Sequence, residues 1–530
     1  MSGAGAFLAH AELERTAAAT PDREWISFGG ERYHSFGEVL ARARSLAAGL
    51  QELGVGVGDR VAIALENRVE FVESWFAAQL VGAIAVPLNT ALRGDVLNHI
   101  LGLSEPRLAI TSAQTLPRIE RALAWSNAVR ALVGVGAVEE GLGAGARPIV
   151  AYERVHSDSD PAPVAVDHHH ESGIMFVSGG AGPPKGVVWT HRATWHFADV
   201  SLTGMGYRED DVLHTCLPLF HANGLCVSLL SSLIMRCRLS VAARFSVSAF
   251  WDEIVASGAT VTNFLGAMSP LLLRRDPVPA ERQHALRTAL VAPALPEYYD
   301  VFPRRFGFAP VESYGLTDFG MLTWPRPGER QPPGSCGRAV DSFDLRIVDE
   351  QGEELGPGEV GEAVARPLRA GIVPTGYWRM PAETLASRHD LWFHTGDTMS
   401  RDENGWFYFV DRSEDAIRRR GENVSSWEVE SEILALSGVE ECAAYAVSSE
   451  FSEDEVAVAV VLEPARELSP EAIIAAIQAR IPYFAVPRYV RFVDSLPRTE
   501  TNRVHKRELR AQGVAEGTWD REAAGFELER

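Results

Sequence analysis

The chain has 530 residues, 46% of them hydrophobic and 23% charged, with 46 glycines and 30 prolines; this is the balance of a folded α/β protein and excludes a disordered or fibrous one, and the length spans several units at roughly 100–200 residues per domain. Fifty Lys and Arg against 71 Asp and Glu leave a formal charge of −21, a field that repels phosphate backbones and anionic membranes and argues against nucleic acid as a partner. An anionic ligand must therefore be gripped locally, by amides, hydroxyls and a few cations, which points to a small nucleotide pocket.

From Ser35 to Leu53 apolar residues recur at helical spacing, and the turn Gly58-Asp59 introduces a short buried strand at Val61–Leu65. Glu70 to Val81 predicts another helix, leading into the strand Ile84-Ala85-Val86-Pro87. Helix and strand alternate as parallel α/β units do, and the alternation is expected to continue to about residue 345. Gly134 to Arg147 and His156 to His170 lack periodicity and read as surface loops; the run His168-His169-His170 reads as solvated rather than metal-binding, because adjacent loop residues rarely aim their rings at one centre. No metal site is predicted.

Beyond Gly358–Glu362 the chain turns to short alternating segments such as Trp406–Val410 and then meets the charged cluster Asp411 to Arg420, where a second domain is expected. That remainder predicts an amphipathic helix near Trp427 to Leu436, strands at Cys442–Val447 and Val456–Leu462, and a helix at Pro470–Ile481. The five cysteines are odd in number and scattered, without disulfide or zinc spacing. No apolar stretch approaches the ~20 residues that span a bilayer, and the N-terminus carries no secretory pattern. A cytoplasmic protein without membrane insertion is the expectation.

Chemistry enters at Phe176 to Gly186, where glycines after an apolar run could let backbone amides approach phosphate oxygens. Alone this is a weak signal, since the spacing is not the Walker pattern. Further segments follow in order: Pro218-Leu219-Phe220-His221, Ser313 to Asp318, His394-Thr395-Gly396-Asp397, Asp411 to Asp415, Gly421 to Ser426, and Pro497 to Lys506. Together these resemble the AMP-forming acyl-CoA ligases, the adenylating superfamily that includes luciferases and the adenylation domains of peptide synthetases. The resemblance runs from the first helix to about Arg510.

The resemblance implies a large N-terminal domain of mixed α/β subdomains over residues 1–412. It also implies a smaller α+β domain over 413–530 that completes the coenzyme A site and turns about a hinge at Glu414. It implies two half-reactions: acid and ATP give acyl-AMP and pyrophosphate, then CoA displaces AMP. On the nucleotide side it implies Ser178, Gly179, Gly180, Ala181, Lys185, Ala292, Pro293, Tyr314, Gly315, Thr317, Asp318, Asp397 and Arg412. Asp397 would hold the ribose hydroxyls, which two acceptor oxygens suit, with Arg412 in support, Tyr314 against adenine and Thr317 on the α-phosphate. On the acyl side it implies Trp195, His221, Asn263, Phe264, Gly315 and Met321. Gly421 would leave room for pantetheine, with His221 bordering the thiol channel.

The sequence departs from that pattern in three places. Val177, Gly180 and Ala181 stand where the phosphate loop usually has threonines, Asp318 where a metal-positioning glutamate is usual, and Arg503 where a lysine normally enters the site. Each hydrogen bond to a charged group contributes about 1.5–3 kcal/mol, a lost transition-state donor costs roughly 2.7–4 kcal/mol, and arginine's planar fork does not reproduce lysine's point donor. The groups for thioester formation remain. The reading that follows is an enzyme making acyl-CoA from acyl-AMP and CoA, with adenylation lost or impaired, supplied by a separate adenylating enzyme. The alternatives are a complete ligase using ATP and Mg²⁺, and a non-catalytic protein that binds the acid or its acyl-AMP.

Overall fold

The computed structural model describes residues 7–123, 128–143, 147–177, 183–266, 268–412, 417–449, 453–463, 466–498 and 504–528. Among them, two large sheets form the body of the N-terminal part. In one, Pro310–Val311, Thr288–Ala292, Val261–Leu265, Val212–Thr215, Arg238–Val241 and Glu24–Phe28 lie side by side in parallel, and His34–Ser35 closes an antiparallel edge. The other has a parallel centre of Glu171–Val177, Ile84–Pro87, Arg60–Ala64, Leu108–Ser112, Ala131–Val135 and Pro148–Ala151. Antiparallel strands flank it: Lys185–Thr190 and Gly376–Tyr377 on one side, Gly141–Leu142 on the other.

Strands such as Arg60–Ala64 and Leu108–Ser112 are buried along nearly their whole length because helices cover both faces, the usual cause of continuous apolar runs in parallel sheets. The helices Phe36–Glu52 and Val69–Leu80 supply much of that cover. Ser35 caps the first of them reciprocally with Glu38, its hydroxyl accepting from the Glu38 amide while the Glu38 carboxylate accepts from the Ser35 amide, so two otherwise orphaned donors are satisfied. The core between the sheets is aromatic. Trp25 stacks on Phe36 with ring centroids 4.9 Å apart and its indole N–H donates to Ser232 Oγ at 2.9 Å.

Two expectations need correction. The stretch Gly134 to Arg147 is not all loop, because Gly134 and Val135 complete the strand Ala131–Val135 and Gly141–Leu142 pairs as an edge; their Gly-rich composition hid a strand buried by its neighbours. The α/β alternation also ends before residue 345. After Pro310–Val311 the chain forms the antiparallel strands Tyr314–Leu316, Gly320–Trp324 and Arg338–Ala339. An antiparallel sheet of Phe343–Val348, Val360–Pro367, Trp392–Arg401, Arg388–His389 and Phe407–Arg412 follows.

The C-terminal domain is smaller. Val439–Ser448, Asp454–Leu462, Tyr489–Phe492 and Trp519–Asp520 make a mixed sheet, against which Val429, Ile433, Ile473, Ile474 and Ile477 of the helices Ser426–Leu434 and Pro470–Ile477 pack. The hairpin Ile417–Arg419 and Glu422–Val424 precedes it. The chain is thus a large N-terminal α/β domain followed by a smaller α+β one. Among the described residues no helix is long and apolar enough to cross a membrane.

Candidate functional site

Asp397 lies in the strand Trp392–Arg401, in register with Arg412 of the neighbouring strand, and is 1% exposed. A carboxylate taken out of water must be hydrogen-bonded to remain charged. Tyr314 Oη donates to Asp397 Oδ2 at 2.6 Å. The strand segment before Asp397, where the register shifts, is braced from the adjacent strand: Glu362 Oε1 accepts from the Gly396 amide at 3.0 Å and Glu362 Oε2 pairs with His394 Nδ1 at 2.8 Å. Tyr314 is therefore more than an aromatic wall, since it fixes the direction of the Asp397 carboxylate. Glu362 was missed in sequence reasoning, because nothing in its spacing ties it to a strand segment more than thirty residues on.

Gly315 sits opposite Met321 in an antiparallel pair. A side chain at Gly315 would meet Met321 Sδ at 2.6 Å and the Gly320 carbonyl at 2.8 Å, so the glycine lets this hairpin close tightly. Thr317 follows, partly exposed. Asp318 Oδ1 accepts from Tyr377 Oη at 2.7 Å, and Lys185 Nζ stands 5.0 Å from the centroid of the same Tyr377 ring. Tyr377 thus joins Lys185 to the carboxylate 59 residues upstream of the tyrosine. No motif flagged Tyr377; its signal is the two-residue strand Gly376–Tyr377 pairing with Val187 and Val188.

The loop residues Ser178, Gly179, Gly180 and Ala181 lie outside the described residues, as do Arg503 and Glu414. The two strands on either side of residues 178–182 are antiparallel, with Val177 paired to Lys185. Ala292 ends the strand Thr288–Ala292, where its carbonyl accepts from the Gly266 amide at 2.9 Å, and Pro293 leads on to Ala294. Near it Glu312 is buried, and that burial pushes its carboxyl well above the usual range, opposed by the Ala294 amide.

The acyl-side residues separate into two groups. Asn263 Nδ2 donates to Asn223 Oδ1 at 2.9 Å and to Ser228 Oγ at 3.0 Å. Its partners lie in Asn223–Leu230, a π-helical segment directly after His221, a rare winding frequent at functional sites. Phe264, the next residue of the strand, points the other way: it is fully buried among Phe250, Trp251, Phe302 and Phe308. Strand alternation therefore spends its ring on packing rather than on a ligand. Trp195 packs edge-on against Phe7 at 6.3 Å, on an N-terminal surface beside His168.

His221 Nε2 lies 2.9 Å from Glu422 Oε2 of the C-terminal domain. Burial opposes the imidazolium, but the Glu422 carboxylate outweighs that and, with Arg418 acting against it, His221 is held above its ordinary pKa. Gly421, beside Glu422, has φ of +78° and open space where a side chain would start. What calls for glycine there is the left-handed backbone, not crowding. Arg420 and Gly421 both donate their amides to the Glu453 carboxylate, at 2.7 and 2.8 Å.

Residues 13–378 match the family described as AMP-binding enzyme, and residues 428–503 match the AMP-binding enzyme C-terminal domain. A crotonobetaine/carnitine–CoA ligase from Salmonella typhimurium is 31% identical over 492 residues, covering 90% of this chain and 92% of the relative. Among solved structures, ATP-bound MatB from Rhodopseudomonas palustris is 28% identical, covers 96% of this chain and 98% of its own, and superposes with a TM-score of 0.68. A double mutant of o-succinylbenzoate CoA synthetase from Bacillus subtilis, bound with a product analogue, is 24% identical, covers 95% and 98%, and superposes at 0.81. The chain belongs to the AMP-binding enzyme family, the adenylating superfamily of the AMP-forming acyl-CoA ligases.

Proposed function

We propose that this chain is a complete AMP-forming carboxylate–CoA ligase. In the first step a carboxylate oxygen attacks the α-phosphorus of ATP and pyrophosphate leaves; in the second the CoA thiol, losing its proton, attacks the acyl carbon and AMP leaves. Asp397, aimed by Tyr314, suits the ribose hydroxyls. His221, Glu422 and the Gly421 loop belong to the second step, where the small C-terminal domain must meet the large one.

The observation that carries the complete ligase over an enzyme restricted to thioester formation is the convergence of Lys185 and Asp318 on Tyr377. A cation and a carboxylate remain organised at the end of the hairpin that bears the phosphate loop. Asp318 is the carboxylate that would hold a divalent cation there, and such a cation, when bound, would draw charge off the polyphosphate. The relatives that match nine-tenths of the chain are CoA ligases, which supports the same reading. Seating of Glu422 on His221 supports the arrangement used for the second step.

A second reading keeps thioester formation and lacks adenylation, so that another enzyme supplies the acyl-AMP. The substitutions Gly180, Ala181 and Arg503 favour it. One two-armed assay separates the readings. The purified chain is given ATP, Mg²⁺ and a panel of acids that includes crotonobetaine, carnitine, o-succinylbenzoate and benzoate, and pyrophosphate is measured; it is then given the synthetic acyl-AMPs with CoA, and thioester is measured. Acid-dependent pyrophosphate together with thioester is the expected result. Thioester without pyrophosphate for every acid would establish the restricted enzyme instead.

A further inference from the structure

Glu453 occupies a position that neither the motifs nor the reaction accounts for. It lies just before the strand Asp454–Leu462 of the C-terminal domain and is 9% exposed. Its two carboxylate oxygens accept from two consecutive backbone amides, Arg420 N–H on Oε2 at 2.7 Å and Gly421 N–H on Oε1 at 2.8 Å. Both bonds end on carboxylate oxygens, and hydrogen bonds to a carboxylate are the stronger kind when it is ionised. Side-chain acceptors that hold consecutive amides fix a loop's path more firmly than its own sequence does, and here the loop is the one whose Gly421 has φ of +78°.

The same carboxylate meets the other domain. Gly266 ends the strand Val261–Leu265, the strand that carries Asn263, and has φ of +54°. A methyl group at Gly266 would overlap Glu453 Oε1 and come within 2.7 Å of its carboxyl carbon and 3.2 Å of the Gly421 nitrogen. The missing side chain is therefore a socket, and Glu453 fills it. Gly266 itself is held from its own domain, its amide donating to the Ala292 carbonyl at 2.9 Å.

We propose that Glu453 is an interdomain latch: its carboxylate, seated against Gly266, holds the Arg420–Gly421 backbone in place for the attack of the CoA thiol. It is a positioning residue, acting through the Arg420–Gly421 backbone that it holds. The inference deepens the reading of the Gly421 loop as part of the thioester step and rests on it. Because the latch engages only when the two domains meet in this arrangement, its loss should affect the second half-reaction more than the first.

The test measures thioester formation from a synthetic acyl-AMP across a range of CoA concentrations, and acid-dependent pyrophosphate release, in the full-length protein and four variants: Glu453→Ala, Glu453→Gln, Gly266→Ala and the double variant Gly266→Ala with Glu453→Ala. Glu453→Ala is expected to lower kcat for thioester formation roughly tenfold or more, the scale of losing bonds to a charged acceptor, with a smaller effect on pyrophosphate release. Glu453→Gln, which retains one acceptor oxygen, should recover part of the loss. Gly266→Ala should be slow, and the double variant faster than Gly266→Ala alone, because truncating Glu453 clears the socket. If the wild type makes no thioester from acyl-AMP, the underlying reading fails. If the wild type is active and Glu453→Ala matches it, or both half-reactions fall equally, or the two substitutions lower the rate multiplicatively, the latch is overturned.

Discussion

Asp397 shows how much one hydroxyl can matter. The carboxylate is buried and Tyr314 donates to it at 2.6 Å, so Tyr314→Phe keeps the ring and removes a bond to an ionised acceptor, which contributes about 1.5–3 kcal/mol. Titration of AMP by calorimetry should show binding weakened by roughly tenfold to a hundredfold, with the melting temperature little changed; equal affinities would detach Tyr314 from the nucleotide site. Tyr377→Phe has a different signature. It removes the Tyr377–Asp318 bond without touching the thiol side, so acid-dependent pyrophosphate release should fall about tenfold or more while synthetic acyl-AMP still turns over. Asp397, Tyr314, Asp318 and His221 were legible because each sits inside an ordered motif. Tyr377, Glu362 and Glu453 were not, since what defines them is a partner across a sheet or across the domain interface, and no local pattern encodes that partner.

Regular elements were legible where their periodicity is strong: the helix expected from Ser35 runs Phe36–Glu52 and the strand expected at Val61 runs Arg60–Ala64. The helix expected to reach Ile481 ends at Ile477, ahead of Pro482, which cannot continue a helix. The π-helical segment Asn223–Leu230 was invisible, because its winding is set by the tertiary bonds of Asn223 and Ser228 to Asn263 rather than by propensity. Within it Gly224 packs directly on the Pro218 carbonyl. Gly224→Ala should therefore cost about 1–3 kcal/mol by overpacking, read as a lowered melting temperature; an unchanged one would mean that the segment yields freely. The helix Ser426–Leu434 carries a pH signature. Burial, reinforced by Glu432 one turn on, raises the Glu428 carboxyl to about 8, against about 4.3 in an unfolded chain. The folded state then holds the extra proton, so the stability this group contributes is complete below the unfolded value and is lost as pH rises through about 8. Glu428→Gln should flatten the decline of melting temperature across that window, and parallel declines would reject the assignment.

For the molecule as a whole, the two-domain plan was readable from the ordered motifs and from the shift in pattern after Gly358–Glu362. The interface was not, because docking depends on shape: Gly266 and Gly421 approach each other only once both domains are folded. Net charge also gains a meaning at this level. On the proposed reading, a chain at −21 would grip ATP through a few organised groups, Lys185 and a divalent cation among them, against a repulsive field. Binding of ATP should therefore depend strongly on Mg²⁺.

The central claim is that one active site makes an acyl-adenylate and then consumes it. It is tested most directly by supplying a heavy-oxygen-labelled acid with ATP and CoA and determining the mass of the AMP released. An acyl-AMP intermediate predicts one labelled oxygen in the phosphate of AMP for each thioester formed. Thioester accompanied by unlabelled AMP, or by ADP and phosphate, would contradict the account.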